Sequence, residues 1–229
     1  MKHKFIITVL TTLLSFGNSS YAASTFTDRV SFNNELSNSS ISDVRVLDFE
    51  SSSPGDLLPS GNSLGGITFT YAIDGINMKV DNQFDTTSGN NYLGLDDPGN
   101  FDQFITGDSF NLNLGGPFNA LGLSFITSDP LEAGDIKLQT PLGDILNSAV
   151  EESILADGGF VYFLGLVSLD SPFGLAQIRT EPTADVTFLY TVDDIITAKV
   201  TEPSTVTLFL MVLLGSFFWQ RPNFQFNRG

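Results

Sequence analysis

A period-two alternation of apolar and polar residues is the feature that most limits what this chain can fold into. Ile67, Phe69, Tyr71 and Ile73 alternate with smaller or polar residues, as in a β-strand that buries one of its faces. Turn residues bound further short segments of strand composition at residues 44–49, 76–80, 92–95, 109–114, 120–128, 135–140, 145–150, 160–167, 175–180 and 186–192. Asp74-Gly75 predicts a tight hairpin between segments 67–73 and 76–80.

Short strands without long helical spacers predict an all-β fold, an antiparallel β-sandwich of jelly-roll-like type. The phenylalanines, 21 in all, are expected to supply its core. One short amino-terminal helix is predicted at residues 26–36, where Phe26, Val30 and Leu36 have helical spacing and Thr27 is a capping candidate. Residues 51–66 are rich in Ser, Pro and Gly and are expected to form one long loop.

The first 22 residues have the pattern of a secretory signal peptide. Lys2 and Lys4 supply a positive segment, residues 5–14 are apolar, and Ser20-Tyr21-Ala22 places small residues before a cleavage site. Ten apolar residues rise only ~15 Å as a helix, against a hydrocarbon core of ~30 Å. This length favours cleavage after Ala22 over a permanent anchor.

A second apolar segment lies at residues 203–220, between Glu202 and Arg221. Its length corresponds to ~27 Å of helix, which suffices for a single transmembrane helix in a slightly thinned bilayer. The lack of a polar face argues against a buried core helix. Arg221 and Arg228 follow, so the positive-inside rule places the tail in the cytoplasm and the residues before Glu202 outside.

The last part of the chain, residues 201–229, resembles the PEP-CTERM sorting signal of Gram-negative bacteria. It begins Thr201-Glu202-Pro203-Ser204-Thr205, with Thr201 where the usual signal has proline, and continues through the apolar segment to its arginines. The resemblance implies processing by an exosortase, a membrane-embedded cysteine transpeptidase. It also implies delivery to the cell envelope, the cell surface or an exopolysaccharide-rich extracellular matrix, with transient or permanent anchoring in the inner membrane.

The body of the chain, residues 23–200, resembles exported PEP-CTERM proteins that contain a β-sandwich of this kind. The matching segments are Phe26-Thr27-Asp28-Arg29-Val30-Ser31-Phe32, Leu47-Asp48-Phe49-Glu50, Phe163-Leu164-Gly165-Leu166 with Ser171-Pro172-Phe173, and Val192-Asp193-Asp194-Ile195. Similar sandwiches occur as carbohydrate-binding modules, but this is an analogy of fold and does not establish function. No repeat or linker divides this body, which is expected to be one domain.

Composition excludes several kinds of chemistry from the body. The chain has no cysteine, and its single histidine, His3, lies in the segment expected to be removed. Nucleophilic triads, disulfides and histidine-ligated metals are therefore not expected. Without both ends the body keeps 25 of the 26 acidic and 6 of the 10 basic residues, a net charge near −19. Such a surface repels nucleic acid and attracts divalent cations.

Four carboxylates are candidate ligands for one structural calcium ion. Asp48 and Glu50 lie two residues apart on a predicted strand and share a face, while Asp193 and Asp194 lie at the other end of the body. Neighbouring first and last strands would bring the four together around a cation that pins the termini. The alternative is that they are solvated residues at strand ends.

A second acidic cluster, containing Asp81, Asp85, Asp96, Asp97 and Asp102, lies in asparagine-rich loops. It has the turn chemistry of a calcium loop but lacks the spacing of an EF-hand. Aspartate and asparagine also form turns without any metal, and this interpretation is favoured.

Catalysis and sugar stacking have weaker support in the sequence. A glycoside hydrolase would need two convergent carboxylates, and Glu151 and Glu152 are adjacent, so they would face opposite sides of a strand. A sugar site would use exposed aromatic residues, and the tyrosines of the body are better explained as core residues at strand positions. The one tryptophan of the chain, Trp219, lies in the apolar tail, so the body has none.

The sequence therefore predicts an exported protein with a structural or adhesive role in the envelope or matrix, associated with exopolysaccharide and without enzymatic activity. One alternative is a calcium-dependent carbohydrate-binding module. The other is a carboxylate-based glycoside hydrolase.

Overall fold

Two antiparallel β-sheets form from the alternating segments of the chain. The structure, a computed structural model, describes residues 23–39, 41–73, 75–181 and 187–200. The ten-stranded sheet contains β1 (Ser24–Phe26), β2 (Ile41–Leu47), β3 (Leu57–Leu58), β6 (Met78–Asp81), β7 (Tyr92–Leu95), β8 (Phe104–Ile105), β10 (Ala120–Thr127), β13 (Ser153–Ile154), β14 (Phe160–Val167) and β16 (Leu189–Val200). The six-stranded sheet contains β4 (Ser63–Leu64), β5 (Ile67–Tyr71), β9 (Ser109–Phe118), β11 (Ile136–Thr140), β12 (Gly143–Leu146) and β15 (Phe173–Thr180). The predicted antiparallel all-β fold is confirmed at this level.

The chain moves back and forth between the two sheets. The larger sheet has the order β1-β14-β10-β16-β7-β6-β3, with β13 on β14 and with β2 and β8 on β16. The smaller sheet has the order β12-β11-β15-β9-β5-β4. From β8 onward, every connection between neighbouring strands that does not form a hairpin crosses from one sheet to the other.

The hydrophobic core lies between the two sheets. In β9, Phe110, Leu112 and Leu114 are buried, whereas Asn111 and Asn113 between them are exposed. The Phe104 ring from the larger sheet stacks on Phe110 of the smaller sheet, with ring centroids 5.3 Å apart. Aromatic pairs of this kind add to the free energy gained by burying apolar area. As predicted, phenylalanines fill much of this core.

The helix α1 (Arg29–Asn38) packs on the outer face of the larger sheet. Its cap is Asp28, whose Oδ1 accepts a hydrogen bond of 2.7 Å from the Ser31 amide, so the prediction of Thr27 as the cap was wrong. An aspartate at this position satisfies an amide that the helix leaves unpaired. Phe32 is fully buried against Phe163 and the backbone of Gly165, where a Cβ atom would lie 2.7 Å from the Phe32 ring.

The predicted hairpin at Asp74-Gly75 was wrong. β5 pairs with β9 and β4 in the smaller sheet, whereas β6 pairs with β7 and β3 in the larger one. Each strand matches four consecutive residues of its actual partner, and this pairing outweighs the local turn preference. The Tyr71 hydroxyl helps to join the sheets, since it donates to the Leu58 carbonyl and accepts from the Met78 amide.

Residues 51–66 are also more ordered than one loop, since they contain β3 and β4. Among the described residues, no helix is both long and apolar enough to span a membrane. The predicted signal peptide, residues 1–22, and the predicted sorting signal with its apolar segment, residues 201–229, lie outside the described residues.

Replacing Phe32 by alanine tests the docking of the helix. The variant should lose about 3–5 kcal/mol of unfolding free energy, because it leaves a cavity against Phe163. Val30 lies on the same helix and is 67% exposed, so Val30→Ala should change stability by no more than ~0.5 kcal/mol. Urea denaturation of both variants measures the difference, and equal losses would contradict this packing.

Candidate functional site

An open cleft of about 540 Å³ lies beside the connection between β6 and β7. We call it the amide cleft. Its polar lining comes mainly from Glu50, Asn82, Gln83, Asp85, Asn90 and Asn91. Its apolar lining comes from Pro54, Phe84 and Leu155. Its volume is within the range of ligand sites, ~300–1,000 Å³.

Glu50 fixes one end of the connecting loop, residues 82–91. Its Oε1 atom accepts hydrogen bonds from the backbone amides of Asn90 at 2.7 Å and Asn91 at 2.6 Å. Phe49, with φ of 61°, turns the chain so that the Glu50 side chain reaches the loop. The side chain of Asp48 stabilises this turn, since its Oδ1 accepts from the Glu50 amide at 3.2 Å.

Asp193 and Asp194 fix the middle of the same loop. The pairing of β10 with β16 shifts register between Gly122 and Ser124, and Asp194 has φ of 49°, so the two aspartates form a β-bulge. The Asp193 Oδ2 atom accepts from the amides of Thr87 at 3.0 Å and Ser88 at 3.2 Å. The Ser88 hydroxyl donates to Asp194 Oδ1 at 2.6 Å.

The helix joins this arrangement through Arg29. Its Nη1 atom donates to Asp194 Oδ2 at 2.5 Å, and its backbone amide donates to Glu152 Oε1 at 3.0 Å. We call Arg29, Thr87, Ser88, Asp193 and Asp194 the aspartate clasp. The clasp connects the first turn of α1, the loop of the amide cleft and the bulge of β16.

Asp193 holds a proton more readily than an exposed aspartate does. Burial raises the pKa of Asp193 to about 6, and the neighbouring Asp194 carboxylate acts in the same direction. Hydrogen bonds from Thr87, Ser88 and the Asp194 amide oppose the shift. The Thr87 hydroxyl lies 2.7 Å from Asp193 Oδ2 and 2.8 Å from Asp194 Oδ2, but it has one hydrogen to donate.

Three of the four predicted calcium ligands, Glu50, Asp193 and Asp194, accept hydrogen bonds from the loop, and Asp48 accepts one from the Glu50 amide. Asp193 and Asp194 are adjacent in the clasp, while Glu50 binds the far end of the loop. No group of three or more acidic or histidine side chains within the described ranges is arranged to hold a metal ion. Calcium at these residues stays a prediction.

The second acidic cluster is divided among separate contacts. Lys79 lies 3.0 Å from Asp81 Oδ2 and 2.6 Å from Asp102 Oδ2. Burial lowers the pKa of Lys79, but its bonds to the two carboxylates outweigh burial and raise it overall. Asp97 caps the 3-10 helix Pro98–Asn100. The backbone amides of Asp85 and Asp157 each donate to the carboxylate of the other residue at 3.0 Å. The Asp97 cap is turn chemistry of the favoured kind, whereas Asp81 and Asp102 form ion pairs with Lys79 and Asp85 joins a distant loop through Asp157.

The sequence analysis did not predict that Phe84, Asn82 and Asn90 line one cleft and give it both apolar and amide surface. Phe84 is half-buried in the cleft wall, and Asn82 and Asn90 are exposed at its rim. The high density of Asn, Asp and Gly in residues 81–91 was the available signal, and it indicated only turns. The tyrosines considered for sugar stacking are instead buried or half-buried, as the favoured interpretation expected.

Replacing Asp193 by asparagine should alter how stability depends on pH. The pKa of Asp193 is raised above the ordinary value of ~3.9 for an unfolded chain, so its protonation stabilises the folded state. That stabilisation is fully present below pH ~4 and is lost as the pH rises through about 6. When the pH is lowered from 7.5 to 4.5, the unfolding free energy of the wild type should rise by on the order of 1–3 kcal/mol relative to that of the variant.

Urea denaturation of both proteins at each pH measures this gain. A stability difference that stays constant between pH 4.5 and 7.5 would contradict the titration of Asp193 in the clasp. Lys137 forms an exposed pair with Glu181, so Lys137→Met is a control that should leave the pH dependence nearly unchanged.

Comparison with models of known protein families gives no match, and comparison with curated proteins gives no relative either. A function for the chain must therefore follow from the chemistry of its own surfaces. The amide cleft, with the clasp behind it, is the site that bears on this most directly.

Proposed function

We propose that the chain is an exported protein that binds a neutral polysaccharide noncovalently in the amide cleft. Its role would be structural or adhesive, in the cell envelope or the extracellular matrix. The observation that carries this proposal is the combination of uncommitted amide groups and apolar surface in one open cleft.

The polar groups of the cleft suit sugar hydroxyls. Within the ranges that the structure describes, the side-chain amides of Asn82 and Asn90 make no hydrogen bond. Each carboxamide offers two donors and an acceptor, and a sugar hydroxyl both donates and accepts. Glu50 uses Oε1 for the loop, and its Oε2 makes no hydrogen bond to a described residue.

The apolar groups of the cleft suit the C–H faces of sugar rings. Phe84 packs on Tyr92, with ring centroids 6.2 Å apart, so its ring is fixed rather than free to rotate into solvent. Pro54 and Leu155 add apolar surface around it. A bound sugar would therefore place its ring against carbon and its hydroxyls against amides.

The loop that carries these groups is preorganised. Glu50 holds Asn90 and Asn91, and the clasp holds Thr87 and Ser88, so four residues of the loop are bound by carboxylates. A loop fixed before binding loses less conformational entropy on binding, which raises affinity.

Charge selects among polysaccharides. Glu50 and Asp85 lie in the cleft, and the body has a net charge near −19, since it keeps 25 acidic and 6 basic residues. An anionic polymer would meet repulsion both near the cleft and at a distance. The proposed ligand is therefore neutral.

The proposal also includes a jelly-roll-like connectivity of the sheets and export by the signals at the two ends of the chain. The repeated passage of the chain between the sheets supports a jelly-roll-like connectivity. The sequence patterns of residues 1–22 and 201–229 support export, membrane insertion through residues 203–220 and processing by an exosortase. Exposure of the body outside the cell would place the cleft where polysaccharides occur.

Affinity gel electrophoresis of the full chain tests the ligand. Hydroxyethylcellulose, galactomannan and dextran are the neutral probes, and alginate is the anionic one. At least one neutral polymer should retard the protein, and alginate should not. Phe84→Ala and Asn90→Ala should each weaken retardation about three- to tenfold, because one apolar contact or hydrogen bond is worth about 1 kcal/mol. Asn34→Ala, on the exposed side of α1, is the matched control.

The same measurement separates the alternatives. Equal retardation in EDTA and in calcium is expected, whereas a requirement for calcium would favour a calcium-dependent module. Release of reducing sugars would favour a carboxylate-based glycoside hydrolase. Retardation by none of the neutral polymers, or equal retardation of the Phe84 variant and wild type, would contradict the proposal.

A further inference from the structure

Five side chains form a continuous row across the outer face of the smaller sheet. Thr70 of β5 pairs with Asn111 of β9, which pairs in turn with Gln177 of β15. Gln177 pairs with Gln139 of β11, and Gln139 pairs with Asp144 of β12. Directly paired residues of antiparallel strands point to the same side of a sheet. We call these five residues the amide row.

The row faces away from the core. Residues next to it along the strands, such as Phe110, Leu138 and Ile178, are buried between the sheets. Side chains alternate along a strand, so the members of the row point outward. Neighbouring strands lie ~4.8 Å apart, and the row therefore spans ~19 Å across five strands.

The row is almost free of acidic residues, although the protein is strongly acidic. Of the 26 acidic residues in the chain, Asp144 is the one found within the six strands of this sheet. It lies on the edge strand β12, and the centre of the row is Asn111, Gln177 and Gln139. The centre of the row is therefore uncharged. The nearest charges on the same face are Lys137 and Arg179, which lie two residues away along the strands and both pair with Glu181.

A shallow groove of about 240 Å³ lies on the centre of the row. Asn111, Gln139 and Gln177 line it together with Pro141 and Leu175. Leu175 is 57% exposed, which is a large apolar area for an outward strand position. The groove thus combines amides with carbon surface, as the amide cleft does.

The amides at the centre of the row have unused hydrogen-bonding capacity. Gln177 makes no side-chain hydrogen bond to any residue that the structure describes. Gln139 Nε2 donates to Asp144 Oδ2 at 3.1 Å, which leaves its oxygen free to accept. The Asn111 Nδ2 atom reaches the Thr70 carbonyl only at 3.5 Å, so this bond is weak.

We infer that the amide row binds an extended neutral polysaccharide that lies across the strands. The distance between strands is close to the length of one pyranose unit in an extended chain, so successive sugars would meet successive amides. The central part of a protein interface is typically enriched in aromatic residues, methionine and arginine, and the centre of the row has none of these. The inference rests on the proposed function for the class of ligand, but it concerns a separate surface.

Paired variants of the full chain distinguish the two surfaces. The row variant is Asn111→Ala with Gln177→Ala, the cleft variant is Phe84→Ala with Asn90→Ala, and Asn34→Ala is the control. Galactomannan serves as the polymer and mannotriose as the short probe, with affinities from gel retardation and calorimetry. The row variant should bind galactomannan about tenfold more weakly than the wild type, equal to about 1.4 kcal/mol. Its binding of mannotriose in the cleft should not change.

The possible results separate the two surfaces. Wild-type binding of galactomannan by the row variant would overturn the inference and leave the cleft proposal intact. Polymer binding that depends on the row, without any effect of the cleft variant, would overturn the cleft proposal and support the row. Failure of the wild type to bind any of galactomannan, dextran and hydroxyethylcellulose would overturn both. Thermal unfolding of the row variant near the wild-type temperature is the check that these outward substitutions leave the fold unchanged.

Discussion

The buried aspartate pair at the bulge of β16 is the interaction on which the amide cleft depends. Asp193 and Asp194 have 0% exposure, and buried carboxylates are tolerated only when donors or cations satisfy them. Those donors come from Thr87, Ser88 and Arg29. Because the two buried carboxylates need these donors, their hydrogen bonds and ion pair fix the loop that forms the cleft wall and the start of α1.

This dependence connects the fold to the proposed activity. The two sheets supply a rigid support, and the bulge turns both carboxylates toward one outer region of the larger sheet. A loop rich in Asn, Asp and Gly would be mobile alone, but the aspartate clasp and Glu50 immobilise it. The amide row needs no such device, because its side chains stand on paired strands whose register already fixes their spacing. The two surfaces thus present similar chemistry by different means.

Local patterns in the sequence predict where the strands lie better than they predict which strands pair with each other. The segments 92–95 and 160–167 coincide with β7 and β14, because their apolar composition is a local property. The partner of β5 is β9, more than 35 residues away, and no local turn signal reports such a pairing. Glu50, Asp193 and Asp194 were singled out as candidate calcium ligands, a role that stays a prediction. Their hydrogen bonds to the loop, such as those from the Asn90 and Asn91 amides to Glu50, depend on the three-dimensional fold and have no local signal in the sequence. Phe84 was missed because one aromatic residue in a polar loop carries no periodic signal.

The most direct test of the account is nuclear magnetic resonance of the ¹⁵N-labelled chain during titration with neutral manno-oligosaccharides and cello-oligosaccharides. The side-chain amide resonances of Asn82 and Asn90 should shift and reach saturation, while that of Asn34 should stay in place. Unshifted resonances of Asn82 and Asn90 with every sugar, or shifts confined to residues outside the amide cleft, would contradict its central claim.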